Sequence, residues 1–401
     1  MTPSVHGSRR TILVVACYAM AAGSTMMLGA AACLSAISAD LGMDSELSKG
    51  LFLSSPIWSS ALTSVGSGWL VDRLGYRLQI LISSLVQAVG LVVVAVATEP
   101  LHALAGGTIT GLGRGMVSAP MTALLCDLYA ENRGRITAIH HSSWYIGVCV
   151  ILVVVLLAFQ LNVGWRSLFG LFTVLVLVYA PAAFLEFMPG RRAARSDRSD
   201  VRIPFREVAG HWRFRLLVLG LFFTTITEVT AAHWMPYYLE ISIGSSRSFG
   251  AVGLMVYAVV MATGRLTMPI VIRRLGLRKV VFITGFACLV SSPPAAWHDH
   301  PFAVVAWLSV LGFAVSGLYP SVNAHAGDRF PTAGSTMFAA FNSAALLGAL
   351  TGPIAFGMAA DLVGLRWALA ATAAAPLVWM TSLALGVRSE SRKEAQFVSH
   401  G

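Results

Sequence analysis

Long apolar stretches alternate with short polar ones along the whole chain. Apolar windows run over 11–37, 50–71, 78–98, 101–126, 136–159, 165–188, 214–239, 248–272, 279–297, 301–325, 333–358 and 364–387, separated by a few polar, Gly or Pro residues. Each is about the length of the ~20 apolar residues with which an α-helix crosses the hydrocarbon core of a bilayer. The windows lack the every-second-residue alternation of a membrane β-barrel, so they predict helices. The expected fold class is an all-α membrane protein with twelve transmembrane helices. Composition agrees. Of 401 residues, 56% are hydrophobic and 11% charged, with a mean hydropathy of +0.74, whereas about a quarter of a soluble domain is charged. So little charge could not cover a water-soluble fold of this size, and so apolar a chain would not stay disordered.

The net charge of +10, from 28 Lys+Arg and 18 Asp+Glu, would suggest nucleic acid in a soluble protein. Its placement argues otherwise and predicts no nucleic-acid partner. The 39–49 loop holds Asp40, Asp44 and Glu46 against Lys49 and reads as outside. The 72–77 loop (Arg73, Arg77, Asp72) and the 273–279 loop (Arg273, Arg274, Arg278, Lys279) are basic and read as inside. The arginine-rich 189–213 stretch must then be cytoplasmic, and an even number of spans brings both termini to that side. Arg9 and Arg10 precede an apolar run that reaches about Ile37. That run is longer than a signal-peptide core, and the expectation is an uncleaved first helix. The five cysteines lie in or at the ends of apolar windows without metal or redox spacing and read as small hydrophobes.

The basic stretch also divides the chain. The expected organisation is a six-helix bundle over 1–188, a cytoplasmic linker over 189–213, a second bundle over 214–387 and a tail over 388–401. The two bundles repeat. Leu74-Gly75-Tyr76-Arg77 matches Leu275-Gly276-Leu277-Arg278 at an offset of 201, as do Gly111 with Gly312 and Asp127 with Asp328. Gly164-Trp165-Arg166 matches Gly364-Leu365-Arg366 at an offset of 200. Landmarks held in register over a half-chain point to a duplicated unit, the way many secondary transporters are built.

Gly68-Trp69-Leu70-Val71-Asp72-Arg73-Leu74-Gly75-Tyr76-Arg77 resembles the signature loop after the second helix of the major facilitator superfamily, departing at Tyr76, where Arg or Lys is usual. Asp127 to Arg135, with Glu131, is similar to the loop after that family's fourth helix. Gly348 to Pro353, with Gly357 and Asp361, is similar to its eleventh helix. The resemblance implies two six-helix bundles, alternating access, and a conformational latch of Gly68, Asp72, Arg73, Gly75, Arg77, Asp127 and Glu131. In physical terms, Asp72 can face the positive N-terminus of a helix in the other half, and Arg73 or Arg77 can pair with Asp127 or Glu131. The G-x-x-x-G-P-like run of drug-efflux members is absent from the fifth helix, which reads Ser142-Ser143-Trp144-Tyr145-Ile146-Gly147.

An ionisable group within a span costs at least ~2.5–3.5 kcal/mol at its centre and is a functional candidate by default. Arg114 and Glu228 lie near the middles of the fourth and seventh spans. Arg265 lies about five residues, roughly 7–8 Å, to the inner side of the eighth span's midpoint. A guanidinium offers a planar fork of donors suited to a carboxylate. Arg114 and Arg265 are therefore the candidate substrate contacts, with Trp144 and Asn342 as further pocket residues. Glu228 is the candidate proton carrier, joined by His233. The competing expectation is an Arg114–Glu228 or Arg265–Glu228 pair that locks helices together.

These residues point to proton-coupled transport of a small organic anion, a carboxylate, by a monomer in a bacterial inner membrane. Arginine exceeds lysine and there is no Asn-x-Ser/Thr sequon. No cofactor or metal is expected. Efflux of lipophilic compounds and sugar permeation are the alternatives within transport. No Ser/His or His/Asp constellation suggests an enzyme, and no phosphate-binding loop suggests an ATPase.

Overall fold

A computed structural model describes residues 3–185, 188, 210–329 and 334–387. Most of the 189–213 linker and all of the 388–401 tail lie outside the described residues. The first half of the chain contains α1 (Pro3–Ala22), α2 (Ser24–Ala32), α3 (Leu34–Leu41), α4 (Glu46–Ala95), α5 (Pro100–Leu128), α6 (Arg133–Gln160) and α7 (Trp165–Leu177). The second half contains α8 (Trp212–Ile241), α9 (Arg247–Leu275), α10 (Leu277–Trp297), α11 (Pro301–Ser316), α12 (Leu318–Arg329), α13 (Gly334–Val363), α14 (Leu365–Ala371) and α15 (Ala374–Gly386). Among the described residues there are helices and turns and no strand.

Among the described residues, ten helical segments are long and apolar enough to cross a bilayer. One of them, α4, is two crossings, because Gly75 leaves helical geometry at φ 76, ψ 164. The 29-residue α5 is not among the ten, and with it the crossings reach the twelve expected. The windows predicted unbroken spans, whereas several crossings are broken. The first breaks at Gly23 and Cys33, the tenth at Gly317 and the last at Thr372–Ala373. Hydropathy reports the solvent of a segment and is blind to such breaks.

Positions related by the repeat do the same local work. The Ser45 and Ser246 hydroxyls cap α4 and α9, accepting from Ser48 N and Phe249 N. Gly75 and Gly276 both carry the left-handed φ (76° and 82°) that lets a helix reverse without a Cβ clash. Pro100 and Pro301 both open helices, where the missing N–H costs nothing. Arg166 bonds Asp40 and the Ala97 carbonyl, while Arg366 bonds the Ser242 carbonyl and Asp299. Each arginine thus ties its helix start to two neighbouring turns, with the carboxylate and the carbonyl exchanged between the halves.

Large apolar side chains such as Val65, Leu266, Phe286 and Phe302 are mostly exposed, as a lipid-facing surface requires. The halves meet mainly through α4 with α13 and α6 with α9, and where α2 and α3 touch α8. A Cβ on Gly50 would lie 2.5 Å from the Pro353 carbonyl oxygen, and one on Gly357 2.4 Å from that of Glu46. Backbones touch there. Ser54 donates to the Leu350 carbonyl at 3.0 Å. These contacts gather towards the end of the molecule that carries Ser45, hereafter the Ser45 end.

Candidate functional site

At the middle of the bundle, α6 stands between two arginines from different halves. Consecutive residues on a helix point about 100° apart, so Trp144 and Tyr145 serve opposite sides. Trp144 faces the first half, with the Arg114 guanidinium 4.7 Å from its ring centre. Tyr145 faces the second half, with Arg265 at 4.8 Å. Both are cation–π contacts in position and distance.

Arg265 also donates from Nη2 to Glu228 Oε1 at 2.9 Å, the two side chains being 29% and 18% exposed. Tyr145 reaches the same carboxylate oxygen at 3.5 Å, and the Tyr257 hydroxyl donates to the Glu228 backbone carbonyl at 3.1 Å. Gly264, beside Arg265, packs against α11, where a Cβ would lie 2.1 Å from Ser316 Oγ. The Arg265 Nε is buried and has no acceptor among the described residues. The Arg265–Glu228 pair that the sequence left as an alternative is therefore made, with donors on the arginine to spare.

Arg114 differs. Its Nη1 donates to Ser60 Oγ at 3.1 Å, its guanidinium covers Trp144, and no carboxylate pairs with it among the described residues. The break in the first crossing lies against it, since a Cβ on Gly23 would come within 3.3 Å of Arg114 Nε. Gly115 packs equally closely on α4, where a Cβ would be 2.1 Å from Thr63 Oγ1. The centre thus holds two guanidinium groups and one carboxylate.

Other expected site residues stand apart from this cluster. His233 is buried, and its Nδ1–H donates to the Val229 carbonyl at 2.9 Å while Nε2 has no partner among the described residues. No hydrogen bond joins it to Glu228 among the described residues. Asn342 is exposed and makes no hydrogen bond among the described residues.

The residues expected to form a latch lie at the opposite end of the molecule from Ser45. Asp72, Arg73, Asp127 and Glu131 are exposed. Arg73 stacks on Trp69 at 4.2 Å, and Arg77 donates from Nε to the Met188 carbonyl at 2.9 Å. No ion pair joins Arg73 to Asp127 or Glu131 among the described residues. Nothing lies within 4 Å of a Cβ on Gly68. The charge-to-helix contact foreseen for Asp72 occurs instead at the opposite end, made by Asp361. Its carboxylate accepts from Glu46 N at 2.6 Å and Leu47 N at 2.9 Å, capping α4 from the other half. The reason is geometric: the halves are in contact at the Ser45 end, so that is where a cross-half cap can form.

The contacts at the Ser45 end extend inward from that cap. Lys49 is buried and pairs with Glu46 at 3.0 Å, and the Tyr237 hydroxyl donates to Glu46 Oε1 at 3.0 Å. Lys49 also lies 5.1 Å from the Tyr237 ring centre. Ser35 bonds Glu240 across the halves. From sequence Glu46 and Lys49 read only as charges of an outside loop, because charges at the end of an apolar window look solvated.

The chain resembles known proteins over nearly its whole length. The sequence profile of the Major Facilitator Superfamily matches residues 14–297 and 217–399. The nitrite extrusion protein of Bacillus subtilis (strain 168) is 24% identical over 209 residues, 51% of this chain and 52% of that protein. The cyanate transport protein CynX of Escherichia coli (strain K12) is 22% identical over 268 residues, 66% of this chain and 67% of that protein. The chain thus spans about half the length of the first of these relatives. A bacterial homologue of the human lysosomal transporter Spinster, solved inward-facing and unoccupied, superposes with a TM-score of 0.74 at 15% identity, covering 97% of this chain and 98% of that one. The chain belongs to the major facilitator superfamily and has its all-α membrane fold; family and fold point to a transporter and not to an enzyme.

Proposed function

We propose that this member of the major facilitator superfamily carries a small organic anion, a carboxylate, across a bacterial inner membrane by proton-coupled alternating access. The observation that carries the proposal is Arg114, a guanidinium in mid-bundle with a hydroxyl and a ring for partners and, among the described residues, no carboxylate. A cation in that place costs several kcal/mol, and an anionic substrate offsets the cost each time it binds. Relatives whose names include nitrite and cyanate transport support an anion of small size.

Glu228 and Arg265 supply the coupling. A carboxylate substrate competes with the Glu228 carboxylate for the Arg265 fork. A proton taken up by Glu228 breaks the pair and leaves Arg265 free for the substrate. Loss of the proton restores the pair and expels the anion. Arg114 and Arg265 then hold the substrate from the two halves, with Trp144 and Tyr145 as walls between them, and His233 and Asn342 have supporting places at most.

With both termini and the basic turns on the cytoplasmic side, the Ser45 end faces outward, and the present conformation is open towards the cytoplasm. Asp72, Arg73, Arg77, Asp127 and Glu131, with Gly68 and Gly75, close the inner end in the opposite state. The protein works as a monomer.

Reconstituted vesicles test this. Uptake of labelled mono- and dicarboxylates, a neutral sugar and a lipophilic cation is compared with and without an imposed pH gradient. The expected result is carboxylate accumulation driven by the acidic side, lost in Arg114→Gln and uncoupled from pH in Glu228→Gln. Transport of the sugar or the cation alone, or full carboxylate transport by Arg114→Gln, overturns the reading.

A further inference from the structure

The second half carries, on its lipid-facing side, an apolar groove of about 420 Å³ formed by α9, α10 and α11. Val260, Met268, Val271 and Leu275 form its wall on α9, Ile283 and Ala287 on α10, and Ala306 and Phe313 on α11. From Leu275 to Val260 the groove runs fifteen residues along a helix, roughly 22 Å at 1.5 Å per residue. One leaflet of a bilayer core is about 15 Å deep, so the groove spans a full leaflet with length to spare. Leu275 and Val280, on either side of the turn at Gly276, line its inner end.

That turn carries Arg273, Arg274, Arg278 and Lys279, all exposed, and none is paired with a carboxylate among the described residues. Two of them share a face with the groove wall. Arg274 lies three residues from Val271, and Lys279 four residues from Ile283, the spacings that place side chains one above another on a helix. The equivalent turn in the first half carries Asp72 beside Arg73, and Arg77 there is engaged by the Met188 carbonyl. The positive-inside bias accounts for basic residues at this end. It does not account for an apolar trough one leaflet deep that ends beside four of them.

We propose that this groove is a binding site for an anionic diacyl phospholipid, with one acyl chain lying between α9, α10 and α11 and the phosphate headgroup held by Arg274 and Lys279. Basic clusters at the cytoplasmic ends of helices attract anionic headgroups, and the trough beneath adds the apolar contact that turns attraction into a site. The bound lipid splints α9 to α11, and so supports the helix that carries Arg265. The proposal is independent of which substrate the centre carries.

Native mass spectrometry of the detergent-purified full chain tests it, with phosphatidylglycerol and phosphatidylethanolamine of identical acyl chains. The expected result is one tightly retained phosphatidylglycerol, at least about tenfold preferred. Arg274→Gln and Lys279→Gln each weaken its retention about fivefold. Ala306→Trp, which fills the groove from its exposed side, removes retention with every basic residue in place. Arg9→Gln with Arg10→Gln, a basic pair elsewhere, leaves retention unchanged. Equal retention of the two lipids overturns the proposal, as does unchanged retention in Ala306→Trp or an equal loss in the Arg9/Arg10 variant. Melting curves in phosphatidylethanolamine, expected to match the unaltered chain, separate misfolding from loss of the site.

Discussion

Among the described residues, the two ends of the molecule present different materials. At the Ser45 end the halves touch through backbone at Gly50 and Gly357, through a carboxylate on helix N–H groups, and through the buried Glu46–Lys49 pair beneath Tyr237. At the Gly75 end Asp72, Arg73, Asp127 and Glu131 stand exposed. One end has spent its polar groups on the other half, and the opposite end holds a similar set in reserve. Close backbone contact costs little side-chain entropy, whereas long exposed charges lose rotamer freedom when they pair. On the proposed alternating access, the contacts at the Ser45 end hold one state and the charges at the Gly75 end hold the other, so an alteration at either end moves the same balance in opposite directions.

The largest shift is expected from Glu46→Ala. It leaves Lys49 buried without a counter-ion, and removing one partner of a buried pair costs about 3–5 kcal/mol. Opening the Ser45 end gives Lys49 water, so the population moves that way. Spin labels placed near residues 46 and 361 would report the separation; an unaltered distance distribution would count against the pair as a closing contact. Gly50→Leu comes next. A side chain where a Cβ already meets the Pro353 carbonyl at 2.5 Å wedges the halves apart, at the roughly 1–3 kcal/mol of overpacking. Vesicle uptake should fall at least tenfold with the fold retained, and normal uptake would contradict the close approach. Asp361→Ala is the mildest, losing a cap worth about 0.5–2 kcal/mol. The same change at Asp72 should shift the distances in the reverse sense. Shifts of the same sign from Asp361→Ala and Asp72→Ala would break the comparison altogether.

Much of the fold was legible in the sequence because membrane segments advertise themselves: apolar runs, basic turns and repeated landmarks each follow from the solvent. Gly75 and Gly276 could be matched by eye, and both proved to be turns of positive φ. Arg114, Glu228 and Arg265 stood out because charge is rare in such runs, and the structure gathers them around α6. The helix breaks at Gly23 and Gly317 left no trace in hydropathy, since small residues at a break are as apolar as those in a helix. The partners of the charges were hidden as well. Ser60 and Tyr257 are ordinary residues until tertiary packing brings them to Arg114 and Glu228. Lys49 reads as a loop charge, yet it is 4% exposed, and only the approach of the second half explains how its charge is matched. The latch was read from the loops after the second and fourth helices, whereas the helix cap seen across the halves belongs to Asp361 at the far end.

The central claim is that the two ends exclude each other and that an anion at Arg114 sets the balance between them. In a chain with its cysteines replaced by serine, Ser54→Cys reports the Ser45 end and Asn132→Cys, exposed beside Glu131 in the turn after α5, reports the other. Alkylation rates at both sites, measured with and without a transported carboxylate, test the claim directly. The account predicts that the anion slows one site as it quickens the other, and that Arg114→Gln abolishes the response at both. Rates that rise together, or that respond to the anion unchanged in Arg114→Gln, would contradict it.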